Sequence, residues 1–446
     1  MPSLSLLPFV RSFPLALLVG LGALGACSSS ESTPSPAASG DGGADATAAL
    51  TPEQLKVARA ACELPAGATV EATLGAAAAA QAAKMPIEHV IVLMRENRAF
   101  DHYFGSLPKA GQPDVETWPA TFTNKDKAGV DVAPFHADTT CFKADPPHQW
   151  DGMHKQWNEG KMDGFLTNAG ATTTGDGHYA IAYFDQTDLP FYYFLANTYA
   201  IADRMFSSVL SGTFANRNYL LLGSSYGIKN TLVDGYPTGK RTIFDALDEK
   251  GVTWGVYTPT EPLEGTLGWE KDHKGVASVD AFLKALGDGT LPSVSFVDST
   301  ENVDDEHPPA DVQKGEAWTR AIYEAATKSP LWAKTAIFLV WDESGGLFDH
   351  VPPPKACPPS PDQAEFNQLG IRVPLLVLSP WAKKHFVSHE QHEHTSILRF
   401  IEARWGLPAL TARDANSDAL LDMFDFSGAP MLTPPAAPAA GTGGCK

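Results

Sequence analysis

Positive charge is scarce in this 446-residue sequence: 33 Lys and Arg stand against 52 Asp and Glu, a formal net charge of −19. Affinity for phosphate backbones comes mainly from basic side chains, so a general nucleic-acid binder is excluded. Adsorption to an anionic membrane through a basic patch is excluded on the same ground. An anionic substrate must therefore find a local positive centre, such as a metal ion. Cysteine is also scarce, with five in the chain and no spacing that resembles a zinc knuckle. There is no internal repeat. Charged residues make up only 19% against 43% apolar, which is globular rather than disordered composition.

The N-terminus is built differently from the rest. A single Arg11 precedes an apolar run from Phe13 to Leu21, too short to cross a membrane comfortably, and Leu24-Gly25-Ala26-Cys27 comes next. This is the pattern of a secretory signal over residues 1–26, ending like a lipobox. The expectation is an exported cell-envelope lipoprotein at the outer membrane or cell surface, anchored through diacylated Cys27; plain signal cleavage is the alternative. Ser28 is compatible with outer-membrane sorting. Residues 27–50 are Ser, Pro, Ala, Gly and Asp with almost nothing to bury, a flexible tether. Without Cys27, four cysteines remain (Cys62, Cys141, Cys357 and Cys445), an even number suited to disulfides in an oxidising compartment. Three connectivities are open.

Thr51-Pro52-Glu53 predicts a capped helix opening a helical extension over 51–84, and residues 71–84 are Ala-rich. The core is expected over 85–428, with a Pro/Ala/Gly-rich tail at 429–446. Strand-like runs are His89–Met94, Val252–Tyr257, Val294–Val297, Ala336–Trp341 and Val373–Leu378. Helical patterns lie between them, at Thr242–Glu249, Val279–Leu286, Gly315–Lys328 and Thr395–Ala403. Apolar strands alternating with helices predict a three-layer α/β/α sandwich with a mostly parallel central sheet. Pro374 fits that plan on an edge strand.

The residues just past the strand ends carry the chemistry. The first run leads into Glu96-Asn97 and the fourth into Asp342-Glu343. Ligand sites of open α/β sheets gather beyond the carboxyl ends of strands, so these four oxygen-bearing side chains can meet there around one divalent cation. Ca²⁺, Mg²⁺ or Mn²⁺ suits them, and Zn²⁺ is compatible. Acidic residues after strands are more often helix caps, and both readings stand. Thr213, in Ser211-Gly212-Thr213-Phe214-Ala215-Asn216-Arg217, precedes a helical run at Asn218–Leu222. A hydroxyl at a helix start is favoured as an alkoxide facing a phosphate, although a Thr N-cap is the commoner use. His148, His307 and His350 lie in Pro-flanked loops, as phosphate binders or general acids require. His385, His389, His392 and His394 cluster before the last helix. Chelation there is weaker than a helix entry with His394 bonded locally.

These segments together, in this order, resemble the bacterial phosphoesterase family of non-haemolytic phospholipases C and acid phosphatases. The matching stretches include Ile87–Gly105, Lys161–Phe165, Asp188–Tyr193, Thr213–Tyr219, Asp305–Asp311, Trp341–Pro354, His394–Ile397 and Leu407–Asp414. The resemblance implies an alkaline-phosphatase-like fold and a hydrolase acting on phosphate esters or phospholipid. It implies a metal held by Glu96, Asn97, Asp342, Glu343 and the Thr213 oxygen, with Thr213 as a nucleophile forming a phosphothreonine. It places His148, His307 and His350 on phosphoryl oxygens, His350 also as acid catalyst, and Asn216 beside the substrate at the nucleophile loop. Three departures stand out: Ser344 where many relatives have His, Ser211-Gly212-Thr213 for Gly-Pro-Thr, and Tyr179–Tyr183 for Met-Gly-Tyr-Tyr. They leave the leaving-group pocket open, and with it the choice between acid phosphatase and phospholipase C. The early end of the chain tilts the expectation slightly towards a compact phosphatase or broad phosphodiesterase. The competing reading is a catalytically silent surface lipoprotein that binds a ligand or partner in the same cleft.

Overall fold

The Val-, Ile- and Leu-rich runs become strands of one eight-stranded sheet in a computed structural model that describes residues 50–143, 145–169, 177–230, 237, 239–259 and 275–445. The signal segment, Cys27 and nearly all of the tether lie outside the described residues. In chain order the strands are β1 (His89–Arg95), β2 (Ala200–Ala202), β3 (Trp254–Thr258), β4 (Val276–Ser278), β5 (Val294–Val297), β6 (Thr335–Trp341), β7 (Leu375–Leu378) and β8 (Phe386–Ser388). Across the sheet the order is β8-β2-β7-β6-β1-β5-β3-β4. Every pairing is parallel except those of β7, which runs antiparallel to both β6 and β2.

The sandwich expected from the sequence is therefore present. β6 is buried at every position and β1 at all but His89, so both faces of the sheet are covered. The helices pack in two sets. One includes α1 (Thr213–Leu222), α3 (His394–Trp405) and Ala76–Ala83; the other joins α2 (Val312–Lys328) to Val279–Asp288 and Pro190–Thr198. Two expectations change. Pro374 is not at an edge, because β7 lies inside the sheet; it immediately precedes the first strand residue and its carbonyl still accepts from Trp341 N–H. The helix expected from Asn218 begins at Thr213 instead.

Of the three cysteine pairings, the structure has Cys62–Cys357 and Cys141–Cys445. The first ties the N-terminal extension, where Thr51 caps Pro52–Ala60 in a capping box with Gln54, to the core. The second brings the C-terminal tail back to the start of α2. Backbone N–H groups of Gly441, Gly443 and Gly444 donate to Glu316, Gln313 and Asp311.

Candidate active site

The register of the two central strands builds the first half of the site. β1 and β6 pair in parallel from His89 opposite Thr335 to Arg95 opposite Trp341. The next residues, Glu96-Asn97 and Asp342-Glu343, therefore leave the sheet side by side. Asp342 Oδ1 accepts from Asn97 N–H at 3.1 Å and from Glu343 N–H at 2.7 Å. Glu343 Oε2 accepts from Gly345 N–H at 2.6 Å. Gly345 has φ +64°, and a Cβ there would lie 2.5 Å from the Asn97 carbonyl, so only glycine lets this turn close against Asn97.

Arg217 sets the charge balance. Its guanidinium reaches Glu96 and Asp298 at 3.1 Å each and Asp342 at 3.5 Å, all buried. Burial, and then the charge of Asp342, push the Glu96 carboxyl well above its usual range despite Arg217. Burial pushes Glu343 up as well, with His148 opposing it and Asp342 reinforcing it. Several polar atoms here lack partners: both amide atoms of buried Asn97, which sits at φ +61°, and Glu343 Oε1. An unsatisfied buried polar group costs about 1–3 kcal/mol, so the set fits a cation ligand sphere. The sphere is only partly drawn together. Among the described residues Glu96, Asp342 and Glu343 are not a trio with oxygens within 4.8 Å of one another, because Arg217 is wedged between Glu96 and Asp342.

Thr213 is the first residue of α1, behind an extended Gly212 that serves as N-cap and makes no side-chain cap. Its hydroxyl is thus not the cap that a Thr before a helix usually supplies. Arg217 lies four residues on, so both side chains share one helix face. Since Arg217 is fixed to Glu96 and Asp342, Thr213 is on the side of the acidic group, at the positive end of the helix. Asn216 does something else. Its Oδ1 accepts from Val209 N–H at 3.0 Å, and its Nδ2 donates to Ser211 O at 2.6 Å. The amide pins the 209–212 turn that precedes Thr213.

The three histidines share one arrangement. Nδ1 donates to Pro146 O at 2.8 Å in His148, to Pro308 O at 2.6 Å in His307 and to Asp101 at 2.6 Å in His350. Each ring is left with Nε2 for a ligand. The His148 and His307 rings are 5.6 Å apart, and Asp145, His148 and His307 bring ligand atoms within 4.8 Å of one another. His148 Nε2 is 3.9 Å from Glu343 Oε1, which joins this group to the acidic one. His350 stands on a buried base: Asp101 and Asp349 share Arg372, at 2.9 and 2.8 Å. Burial works against charge on His350, but its Asp101 hydrogen bond and the charges of Asp101 and Asp349 prevail and raise its pKa. Burial is likewise overcome in His148, by Glu343 and Asp145, so its pKa is raised too.

Sequence reasoning missed the supports. Fully buried Glu306, at φ +77°, accepts from Arg95 at 3.1 Å, Tyr103 at 2.8 Å and Trp341 at 2.9 Å, and also from Tyr192. It fixes the backbone immediately before His307. Asp101, Arg372 and Asp145 were missed in the same way. Glu306 and Asp101 lie inside motifs that carry the family resemblance, but only their contacts reveal their roles. The late histidines do not converge. His385 and His389 are exposed and bond to Asn197 O and Asp203, while buried His394 bonds across the fold to Trp341 O rather than locally.

A hydroxyl at a helix start, buried carboxylates past the strand ends and histidines with Nε2 left for a ligand are the groups that phosphate-ester hydrolysis in an α/β sandwich calls for. Comparison with known proteins makes this specific: the chain belongs to the Phosphoesterase family, whose model matches residues 87–408. A non-hemolytic phospholipase C of Burkholderia pseudomallei is 30% identical over 426 residues, covering 76% of this chain and 59% of that relative. Phospholipase C B of Mycobacterium tuberculosis is 32% identical, over 78% of this chain and 80% of its own. Non-specific phospholipase C1 of Arabidopsis thaliana is 32% identical, over 74% and 69%. A solved protein of the alkaline phosphatase superfamily from Vibrio parahaemolyticus aligns with a TM-score of 0.43 at 10% identity, over 83% of this chain and 78% of that one.

Proposed function

We propose that this chain hydrolyses phosphodiesters in the manner of a phospholipase C, with Thr213 as nucleophile. One observation carries the proposal: α1 presents Thr213 on the same face as Arg217, which is locked to Glu96 and Asp342. The names of the relatives favour a phospholipid diester over a phosphomonoester, and weigh against a silent binding protein.

Glu96, Asn97, Asp342 and Glu343, with the Thr213 oxygen, would hold a divalent cation. Such an ion supplies Lewis acidity that lowers the hydroxyl pKa and neutralises a phosphoryl oxygen. The Thr213 hydroxyl gives up its proton to solvent, Oγ attacks phosphorus in line, and the bond to the alcohol oxygen breaks as His350 gives that oxygen a proton from Nε2. Thr213 is left esterified to the phospho-headgroup. Water then attacks phosphorus, His350 takes its proton, and the headgroup phosphate leaves with Thr213 restored. His148 and His307 would hold the phosphoryl oxygens through Nε2.

The test compares p-nitrophenylphosphorylcholine with p-nitrophenyl phosphate, using wild type and Thr213→Ala with divalent cation present. Turnover of the choline ester, abolished in the variant while its circular dichroism is unchanged, is the expected result. Turnover of the monoester alone makes the protein a phosphatase, and undiminished activity in Thr213→Ala removes the mechanism.

The proposal extends to export and anchoring through Cys27. Its support is the Leu24–Cys27 motif together with two disulfides, which persist in oxidising compartments. Labelled palmitate taken up in cells by the full chain and not by Cys27→Ala is the expected outcome; equal labelling of both contradicts it.

A further inference from the structure

The segment between β8 and α3 gathers a second set of ligand atoms that shares no residue with the candidate active site. His392 is fully buried and its backbone is fixed on both sides: its N–H donates to Arg204 O, and its carbonyl accepts from Phe206 N–H. Ser388 Oγ donates to Asp422 Oδ2 and lies 3.0 Å from His392 Nε2. With the hydroxyl proton spent on Asp422, Nε2 is the donor in that second bond, which leaves Nδ1 to take a second proton or a metal ion.

Nδ1 faces carboxylates. Nδ1 is 3.2 Å from Asp418 Oδ1, an ion-pair distance, but the two are not aligned for a full hydrogen bond. Asp422 Oδ1 lacks one too, 3.6 Å from Nε2. Two lone pairs at such a distance repel unless a proton or a metal ion lies between them. Neighbouring ligands around zinc, with bonds of about 2.0–2.2 Å, stand roughly 3.3 Å apart, which matches the Nδ1–Asp418 separation. His392, Asp418 and Asp422 each bring a ligand atom within 4.8 Å of the others. Asp418 also lines a cavity of about 320 Å³ together with Glu390, which gives an ion a path in and a place for a solvent ligand.

We infer that His392, Asp418 and Asp422 bind a divalent transition-metal ion of the zinc type. Imidazole nitrogen with two carboxylates selects zinc over calcium or magnesium, whose sites are built from oxygen alone. The ion ties the loop before α3 to the loop that carries Asp418 and Asp422. It acts as a structural clasp two residues from His394, whose ring holds the Trp341 carbonyl at the end of β6.

The full chain is stripped with chelator and dialysed against zinc, and bound zinc is counted by atomic absorption. Wild type is compared with His392→Gln, Asp418→Asn, Asp422→Asn and Asp342→Asn. Each of the first three is expected to hold one zinc fewer than wild type, whereas Asp342→Asn keeps this ion. Zinc should raise the Tm of Asp342→Asn, and adding Asp422→Asn should abolish that rise. The aspartates lie on a partly exposed loop, so their variants serve even where His392→Gln fails to fold. Equal zinc content in wild type and both single aspartate variants, with no Tm rise in Asp342→Asn, overturns the inference and leaves a proton as the occupant.

Discussion

Thr213 and Asn216 lie in the same helix turn and carry different tasks: one hydroxyl is kept out of capping, and one amide is consumed in holding the turn that presents it. The sequence places both but does not separate them, since a helix-start pattern says nothing about which side chain faces inward. His148, His307 and His350 were legible because Pro-rich loops rarely bury a histidine as packing. Their anchoring through Nδ1 was not, because Pro146 O, Pro308 O and Asp101 become partners only in the folded chain. The His350–Asp101 pair makes a prediction about pH. The protonated ring persists above its ordinary pKa of 6.5, so the alkaline limb of kcat should lie above that value. The same sign applies to stability: the contribution of this pair is complete below 6.5 and is lost as pH rises through the raised value. Asp101→Asn removes the main charge that holds the proton, so the alkaline limb should move to lower pH. A pH–rate profile that keeps its alkaline limb in the variant contradicts the assignment of His350 as acid.

At the level of elements, the two central strands do most of the positioning. Their β-branched and Leu-rich runs are readable from sequence, and so is the emergence of acidic pairs from their ends. The register that sets Arg95 against Trp341 was not, nor were β2, β4 and β8, each only three residues long and too short for a periodic signal. Gly345 links the two acidic pairs. Alanine there would occupy left-handed backbone at about 1–2 kcal/mol and press its Cβ on the Asn97 carbonyl. Gly345→Ala should therefore lower stability by at least that amount and weaken divalent-cation binding by roughly 10–100-fold, the range for supporting residues. Calorimetric titration checks the second effect; unchanged cation affinity would show that the turn does not position Asn97 and Glu343.

Over the whole molecule, both disulfides close long loops, 295 and 304 residues apart in sequence, and each joins a terminal segment to the core. The sequence supplied the even cysteine count but not the pairing, which depends on where the tail returns. Cys141 precedes the His148 loop, and Asp311, which receives the tail, comes after His307. Cys141→Ser with Cys445→Ser should cost about 2–4 kcal/mol in urea unfolding and raise KM, because the His148 and His307 loops lose their common strap. A variant as stable as wild type would mean that the tail is held by its hydrogen bonds to Asp311, Gln313 and Glu316 alone. The net charge of −19 adds a constraint on the proposed mechanism, in which an anionic substrate would have to be drawn in by the histidines and a cation against the field of the rest of the chain.

The central claim is that Thr213 is covalently modified during turnover. The most direct measurement is acid quenching of the wild-type chain within milliseconds of mixing with p-nitrophenylphosphorylcholine, with mass spectrometry of the peptide containing Thr213. The account predicts a phosphocholine adduct on Thr213 that appears with the burst of nitrophenol and is missing in Thr213→Ala. A burst with an unmodified Thr213 peptide, or with the adduct on another residue, contradicts it.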